Sequence, residues 1–250
     1  MNWLLLRGLA RDSRHWYKFP DYLHEMDETQ NVFALDYLGV GSKNEENSPL
    51  KISTYVEDLR SDWLKLKEEH PGEWSVIGIS MGAMMALDWC DRYEDDFKNL
   101  VLLNTSTRDT ASIFHRLSFE AIGTFSKLIF NKDTRDREKK ALSLTVKMKE
   151  LPDDLLDAYA EFFEDKPLRR INFLRQVFAA SHYKLPQSIK AKTLVLAGKE
   201  DKLAHYKCSQ EISRKLGVPL ELHEQAGHDL PIDDPDWIIE MMKKHYFISK

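Results

Sequence analysis

The chain of 250 residues is 42% hydrophobic and 31% charged with a formal net charge of −5, which excludes a disordered polymer and argues against a general nucleic-acid binder. Two cysteines, Cys90 and Cys208, are too few for a disulfide framework and read as reduced thiols. The apolar run Trp3-Leu4-Leu5-Leu6 is ended by Arg7 and Gly8, short of the roughly 7–15 residues of a signal-peptide core and the ~20 of a membrane span, so a cytoplasmic protein with no membrane span is expected.

Leu4-Leu5-Leu6 is a buried-strand candidate, and after the polar loop 9–14 a helix is expected to begin near His15-Trp16. Val32 to Asp36 reads as a second strand. Ser53 reads as the cap of a helix reaching Glu69, with Tyr55, Val56, Leu59, Trp63 and Leu66 at helical spacing. Trp74-Ser75-Val76-Ile77 is the third strand, Ala83 to Cys90 a helix, and Leu100 to Asn104 the fourth strand. Thr193 to Gly198 and Leu220 to His223 are the last strands, followed by a helix from Pro235 to His245. Alternating elements with continuously apolar strands predict an α/β fold, a mostly parallel sheet with helices on both faces.

The middle breaks this pattern. From Arg108 to Gln187 helical runs are expected over 113–130, 138–148, 155–163 and 168–183, punctuated by Pro152, Pro167 and Pro186. The expected organisation is therefore a core of residues 1–107 and 188–250 with an all-helical cap, 108–187, inserted. The cap carries 15 Lys/Arg against 12 Asp/Glu, whereas the remainder of the chain is net acidic. That excess suits a solvated helix surface, or a face meeting an acidic substrate or carrier through Arg169, Arg170 and Arg175.

The chemistry concentrates at Gly78-Ile79-Ser80-Met81-Gly82, between the third strand and its helix. A serine between two glycines on such a turn is held strained and exposed, and Ser80 reads as a nucleophile. A hydroxyl needs a base and the base an orienting acid. Of nine histidines, His228 lies on the loop after the last strand, at the carboxyl edge of the sheet where Ser80 also lies. Glu200 and Asp201 both follow the fifth strand, and spacing does not separate them; Asp229 reads as a local hydrogen-bonding residue. Oxyanion donors are expected from the backbone N–H of Met81, at the helix start, and of Leu9, because Gly8 lets that backbone come close.

Taken together these landmarks resemble the α/β-hydrolase family: Arg7-Gly8 after the first strand with Trp16 downstream, Asp36-x-x-Gly39-x-Gly41, Gly78-x-Ser80-x-Gly82, Gly198-x-x-Asp201 and Gly227-His228. The resemblance spans essentially the whole chain and favours Asp201 as the acid. It also implies an oxyanion N–H at Leu9 and a cap where the helical block sits. The family usually has His-Gly where this chain has Arg7-Gly8, and the three-glycine oxyanion loop of many lipases is absent. The compact cytoplasmic carboxylesterase subgroup, which includes enzymes trimming methyl esters from carrier-bound acids in biotin synthesis, looks similar.

The expected activity is serine hydrolysis of a carboxylic ester or thioester through an acyl-enzyme, on a small-molecule substrate, with a carrier-bound acid as one option. Other chemistries of the fold stay open: carbon–carbon bond hydrolysis, cofactor-free haloperoxidation, lyase chemistry, or a binding protein that retains the triad. No cofactor is expected, since the third glycine of a dinucleotide loop starting at Gly39 would fall at Asn44. No metal is expected, since the sequence contains no His-Glu-x-x-His or Cys-x-x-Cys. The aromatics Phe125, Phe130, Phe162, Phe163, Phe173 and Phe178 are expected mostly to hold the cap together, with some lining an acyl pocket.

Overall fold

Every residue of β1 (Asn2–Leu6) is buried, and its side chains divide between two cores: Leu4 and Leu6 enter one, Trp3 and Leu5 the other. This is a computed structural model that describes residues 1–110, 128, 133–147 and 150–247. The same division recurs in β3 (Trp74–Ile79), β4 (Asn99–Leu103) and β5 (Lys192–Gly198). There Val76, Leu100, Leu102 and Val195 face the first core, while Ile77, Val101, Leu103 and Leu196 face the second. β2 (Asn31–Ala34) and β6 (Leu220–His223) are the half-buried edges. All pairings are parallel, in the order β2-β1-β3-β4-β5-β6.

A sheet apolar on both faces needs helices on both. In chain order they are α1 (Phe19–Met26), α2 (Ile52–Glu69), α3 (Met81–Arg92), α4 (Thr134–Thr145), α5 (Asp153–Asp165), α6 (Arg170–His182), α7 (Lys207–Leu216), α8 (Leu230–Asp233) and α9 (Pro235–Met242). α2 and α3 close the first core with Tyr55, Leu59, Trp63, Met85 and Trp89, and α7 adds Ile212. α1 and α9 close the second with Phe19, Leu23, Ile238 and Met242. α4 and α5 share a separate apolar cluster of Leu142, Leu155, Leu156 and Tyr159. Among the described residues no helix is long and apolar enough to cross a membrane.

The chain leaves β1 for β2 on one side, then returns to β3 on the other and proceeds outward. This reversal opens a crevice beyond the carboxyl ends of β1 and β3, where parallel sheets bind ligands.

Several expectations change in detail. Ser53 does not cap α2: the helix starts at Ile52, which is buried, and Lys51 holds the extended cap position without a side-chain bond. The second strand stops at Ala34, because the Asp36 carboxylate leaves the sheet to accept from Ser13 N and Ser42 N. Near His15 the chain makes only a short 3-10 turn, Ser13–Trp16, before α1. The terminal helix ends at Met242 and passes into a π turn, Lys243–Phe247. The helix expected over 113–130 lies outside the described residues except for Leu128, which is helical and buried.

Trp63 is the hub of an aromatic group, with ring centroids 5.7 Å from Trp74, 5.7 Å from Trp89 and 5.3 Å from Phe97. Its indole Nε1 is buried without a partner among the described residues, unlike those of Trp74 and Trp89, which donate to His70 O and Asp96 Oδ2. Trp63→Ala should lower unfolding free energy by about 3–5 kcal/mol through the cavity it leaves. Trp63→Phe, which removes the orphan donor and keeps a ring, should cost less than half as much in the same urea titration.

Candidate active site

Ser80 ends β3 and precedes α3 with φ 55° and ψ −117°. A non-glycine residue in such a region stores roughly 1–3 kcal/mol and keeps it only where its surroundings leave no alternative. Here they do: Ser80 N donates to Leu103 O at 2.9 Å, and Ser80 O accepts from Thr105 Oγ1 at 2.9 Å. A Cβ on Gly82 would lie 2.0 Å from Leu6 O, and one on Gly78 2.5 Å from Gly82 O, so only glycines let β1, β3 and α3 converge. Ser80 Oγ makes no hydrogen bond among the described residues.

His228 follows β6 and lies buried, with Nδ1 2.7 Å from Asp201 Oδ2. A carboxylate acceptor there assigns the ring proton to Nδ1 and leaves Nε2 as an acceptor. The second Asp201 oxygen accepts from Leu203 N at 2.7 Å and Ala204 N at 2.9 Å, so the carboxylate cannot turn. Of the two acids that spacing left open, Asp201 meets His228, while Glu200 is exposed. Burial alone would push His228 down, but the Asp201 charge and its hydrogen bond outweigh this and hold the imidazole above its ordinary value.

Asn104, just past β4 at φ 44°, is a residue that sequence reasoning missed. Its Nδ2 donates to Gly227 O at 3.0 Å and His228 O at 2.7 Å, and its Oδ1 accepts from Gly198 N at 2.8 Å. One amide thus sets the loop of His228 against the strand that leads to Asp201.

Ser80, His228, Leu9 and Met81 line one cavity of about 710 Å³. A Cβ on Gly8 would sit 3.2 Å from Ser80 Cβ, which is how closely the loop after β1 approaches the serine. The N–H groups of Leu9 and Met81 have no hydrogen-bond partner among the described residues. The next residue, Ala10, has φ 65° and is gripped by α6: its N–H donates to Gln176 Oε1 at 2.9 Å. Gln176 and Asn172 are fully buried, and Asn172 ties α6 to the core through Ser48 N and the carbonyls of Gly39, Asn44 and Glu46.

Met84, Phe162, Leu168, Phe173 and Val177 supply apolar wall. Phe163 also lines the cavity, whereas Phe178 is exposed and stacks on His182; Phe125 and Phe130 lie outside the described residues. Arg169 Nη1 donates to Glu45 O at 2.6 Å and Arg175 Nε to Ser48 O, so both hold α6 to the core, while Arg170 lines the cavity. Among the described residues no group of three or more His, Cys, Asp or Glu could hold a metal ion.

Arg7, the departure from His-Gly, is buried and makes a two-pronged ion pair with Asp229 at 3.1 and 2.8 Å. Burial opposes the Asp229 charge, but Arg7 holds the carboxyl below its usual range. Breaking one partner of such a pair leaves an uncompensated buried charge, so Arg7→Met should cost about 3–5 kcal/mol. Arg7→Met combined with Asp229→Leu should restore most of that loss, as read from denaturant midpoints of the single and double variants.

The sequence profile of the family described as serine aminopeptidase, S33, matches residues 4–235. Among curated protein sequences none matches significantly. In structure the chain is similar to the esterase EaEST from Exiguobacterium antarcticum, with a TM-score of 0.78 and 18% identity over 98% of this chain and 91% of that one. It is also similar to the 2-hydroxy-6-oxo-6-phenylhexa-2,4-dienoate hydrolase from Rhodococcus sp. strain RHA1, with a TM-score of 0.76 and 18% identity over 99% and 90%. A third is the putative non-heme bromoperoxidase BpoC from Mycobacterium tuberculosis, with a TM-score of 0.74 and 18% identity over 98% and 91%. At such identities the likeness carries the fold, whereas the family profile runs along nearly the whole sequence. The chain belongs to the serine aminopeptidase, S33, family of α/β-hydrolases.

Proposed function

We propose that this protein is a serine hydrolase that cleaves a small carboxylic ester, or thioester, through an acyl-enzyme. Ser80 is the nucleophile, His228 the base and then the acid, and Asp201 the residue that orients His228. The backbone N–H groups of Leu9 and Met81 receive the oxyanion. Residues 1–107 and 188–250 form the catalytic core, and 108–187 is a helical cap that selects the acyl group. The observation that carries this reading is the 2.7 Å bond from Asp201 to His228 Nδ1, with His228 and the strained Ser80 on one cavity wall.

In the first half-reaction Ser80 Oγ adds to the carbonyl carbon as its proton passes to His228 Nε2. The tetrahedral oxygen lies at the two unpartnered N–H groups, and His228 returns the proton to the departing alkoxide or thiolate. In the second half water repeats the sequence on the acyl-enzyme and frees Ser80. Asp201 stays ionised and stabilises the imidazolium that forms twice per cycle.

The same three residues support carbon–carbon bond hydrolysis as a second reading, favoured by the charged side chains of the cavity and by the similarity to the dienoate hydrolase. Assaying p-nitrophenyl esters beside a vinylogous diketone separates the two.

Ser80→Ala should fold normally, resist labelling by a fluorophosphonate and lose roughly 10⁶-fold in kcat. Parent-like ester turnover in that variant would overturn the assignment.

The pH profile is a separate check. His228 must be neutral to accept a proton, and its value lies above the ordinary 6.5, so kcat/KM should fall on acidification with a midpoint above pH 6.5. Asp201→Asn removes the charge that raises it; the acid limb should then move to lower pH while kcat drops by about 10⁴.

A further inference from the structure

Beside its apolar wall the cavity has a charged one, built by α4 and the loop after β1. Glu138 on α4 is buried, and each of its oxygens takes one arginine: Oε2 accepts from Arg11 Nη1 at 2.6 Å, and Oε1 from Arg137 Nη2 at 2.8 Å and Nε at 3.2 Å. Arg137 also lies over the Phe163 ring, 3.0 Å from its centroid. All four side chains line the cavity.

The charges do not balance there. Arg7 is matched by Asp229, but Arg11 and Arg137 share one carboxylate. Asp12, also on the wall, is taken by Arg14 and His15. Glu164 acts on Arg137 only at a distance, is exposed, and takes the Thr134 hydroxyl. Among the described residues, two guanidinium groups therefore hold a single negative charge between them. Burial and the neighbouring Arg11 push Arg137 below its ordinary value, whereas Glu138 outweighs burial at Arg11 and holds it above its own, so the carboxylate serves Arg11 first.

Free donors remain as well. Arg11 Nε and Nη2 and Arg137 Nη1 make no hydrogen bond among the described residues, and none is a sealed, unpartnered atom; Arg7 Nε is the arginine nitrogen in that state. These donors are thus accessible, on two side chains that line the cavity. A strap joining α4 to the loop after β1 needs one arginine on Glu138, and a second one on the same wall is a docking point for an anion.

We propose that the substrate carries a carboxylate besides its scissile ester, and that Arg11 and Arg137 receive it while the apolar wall holds the intervening chain. The inference rests on the hydrolase reading for its kinetic arm. The class is a monoester of a dicarboxylic acid, which water converts to the free diacid and an alcohol. A planar carboxylate offers two oxygens to the two guanidinium groups, and such charge-assisted bonds are roughly twice as strong as neutral ones.

The experiment compares the mono-p-nitrophenyl ester of adipic acid with p-nitrophenyl hexanoate, whose acyl chain has similar length and no charge. The parent should favour the charged ester in kcat/KM by at least about tenfold, the scale of one charge-assisted hydrogen bond. Arg137→Gln should collapse that ratio and Arg137→Lys should retain part of it. A parent without the preference, or an Arg137→Gln variant that slows both esters equally, would overturn the proposal and leave the arginines as a strap. Binding is measured separately on the folded Ser80→Ala variant by titration with monomethyl adipate and methyl hexanoate, which differ in the one carboxylate. Monomethyl adipate should bind at least about tenfold more tightly, and equal affinities would count against the site even if Arg137→Gln failed to fold. If monomethyl adipate binds selectively but neither p-nitrophenyl ester is turned over by the parent, the hydrolase reading fails and the anion site stands.

Discussion

The contact on which most of this architecture depends is between main chains: the carbonyls of Leu6 and Arg7 lie against the α-carbon of Gly82. Any side chain at Gly82 would have to occupy the space of those oxygens. The approach pins the end of β1 to the first turn of α3, and so places two things at once. It forces Ser80 into its left-handed turn, and it delivers Gly8 and Leu9 to the same spot. Asn104 performs a comparable service on the other side, where the ends of β4 and β5 and the His228 loop meet on one amide. Groups held by backbone contacts and buried amides need little reorganisation when charge develops beside them, which is where preorganised sites gain most.

Electrostatics complete what geometry begins. His228 has two carboxylates for neighbours, Asp201 in direct contact and Asp229 next in sequence, and both favour its protonated form. Arg7 absorbs the second through its two-pronged pair. This gives Arg7 a physical role at a position where the family usually carries histidine. Its guanidinium also lies 5.1 Å from the centre of the Trp16 ring, which offers the buried cation an aromatic face.

Features set by local rules were legible in the sequence. Gly78-x-Ser80-x-Gly82 announces its turn because the steric demand lies within five residues. The continuously apolar strands announce a sheet covered on both sides, and the two cores bear that out. Helix starts were less legible: Ser53 looks like a cap by composition, yet burial of Ile52 draws the helix earlier, with its cap at Lys51. α7 escaped notice because its buried face is only Cys208, Ser209 and Ile212, too little apolar signal for its length. Spacing could not separate Glu200 from Asp201, because they are adjacent and only the turn after β5 decides which one reaches the histidine. The Arg7–Asp229 pair joins residues 222 apart, and the grip of Gln176 on Ala10 joins residues 166 apart. Such partnerships exist only once the sheet has brought the ends of its strands together.

Asn172 and Gln176 give α6 a character that a covering helix need not have. Their amides satisfy core groups while the helix is down, and at about 0.5–1.5 kcal/mol for each bond, raising α6 bodily is costly. The bond from Ala10 to Gln176 adds a kinetic safeguard, because whatever loosens α6 also releases the loop that carries the Leu9 N–H. With the oxyanion role proposed for Leu9, opening and chemical competence would then exclude one another, so that a gaping cavity would also be a silent one.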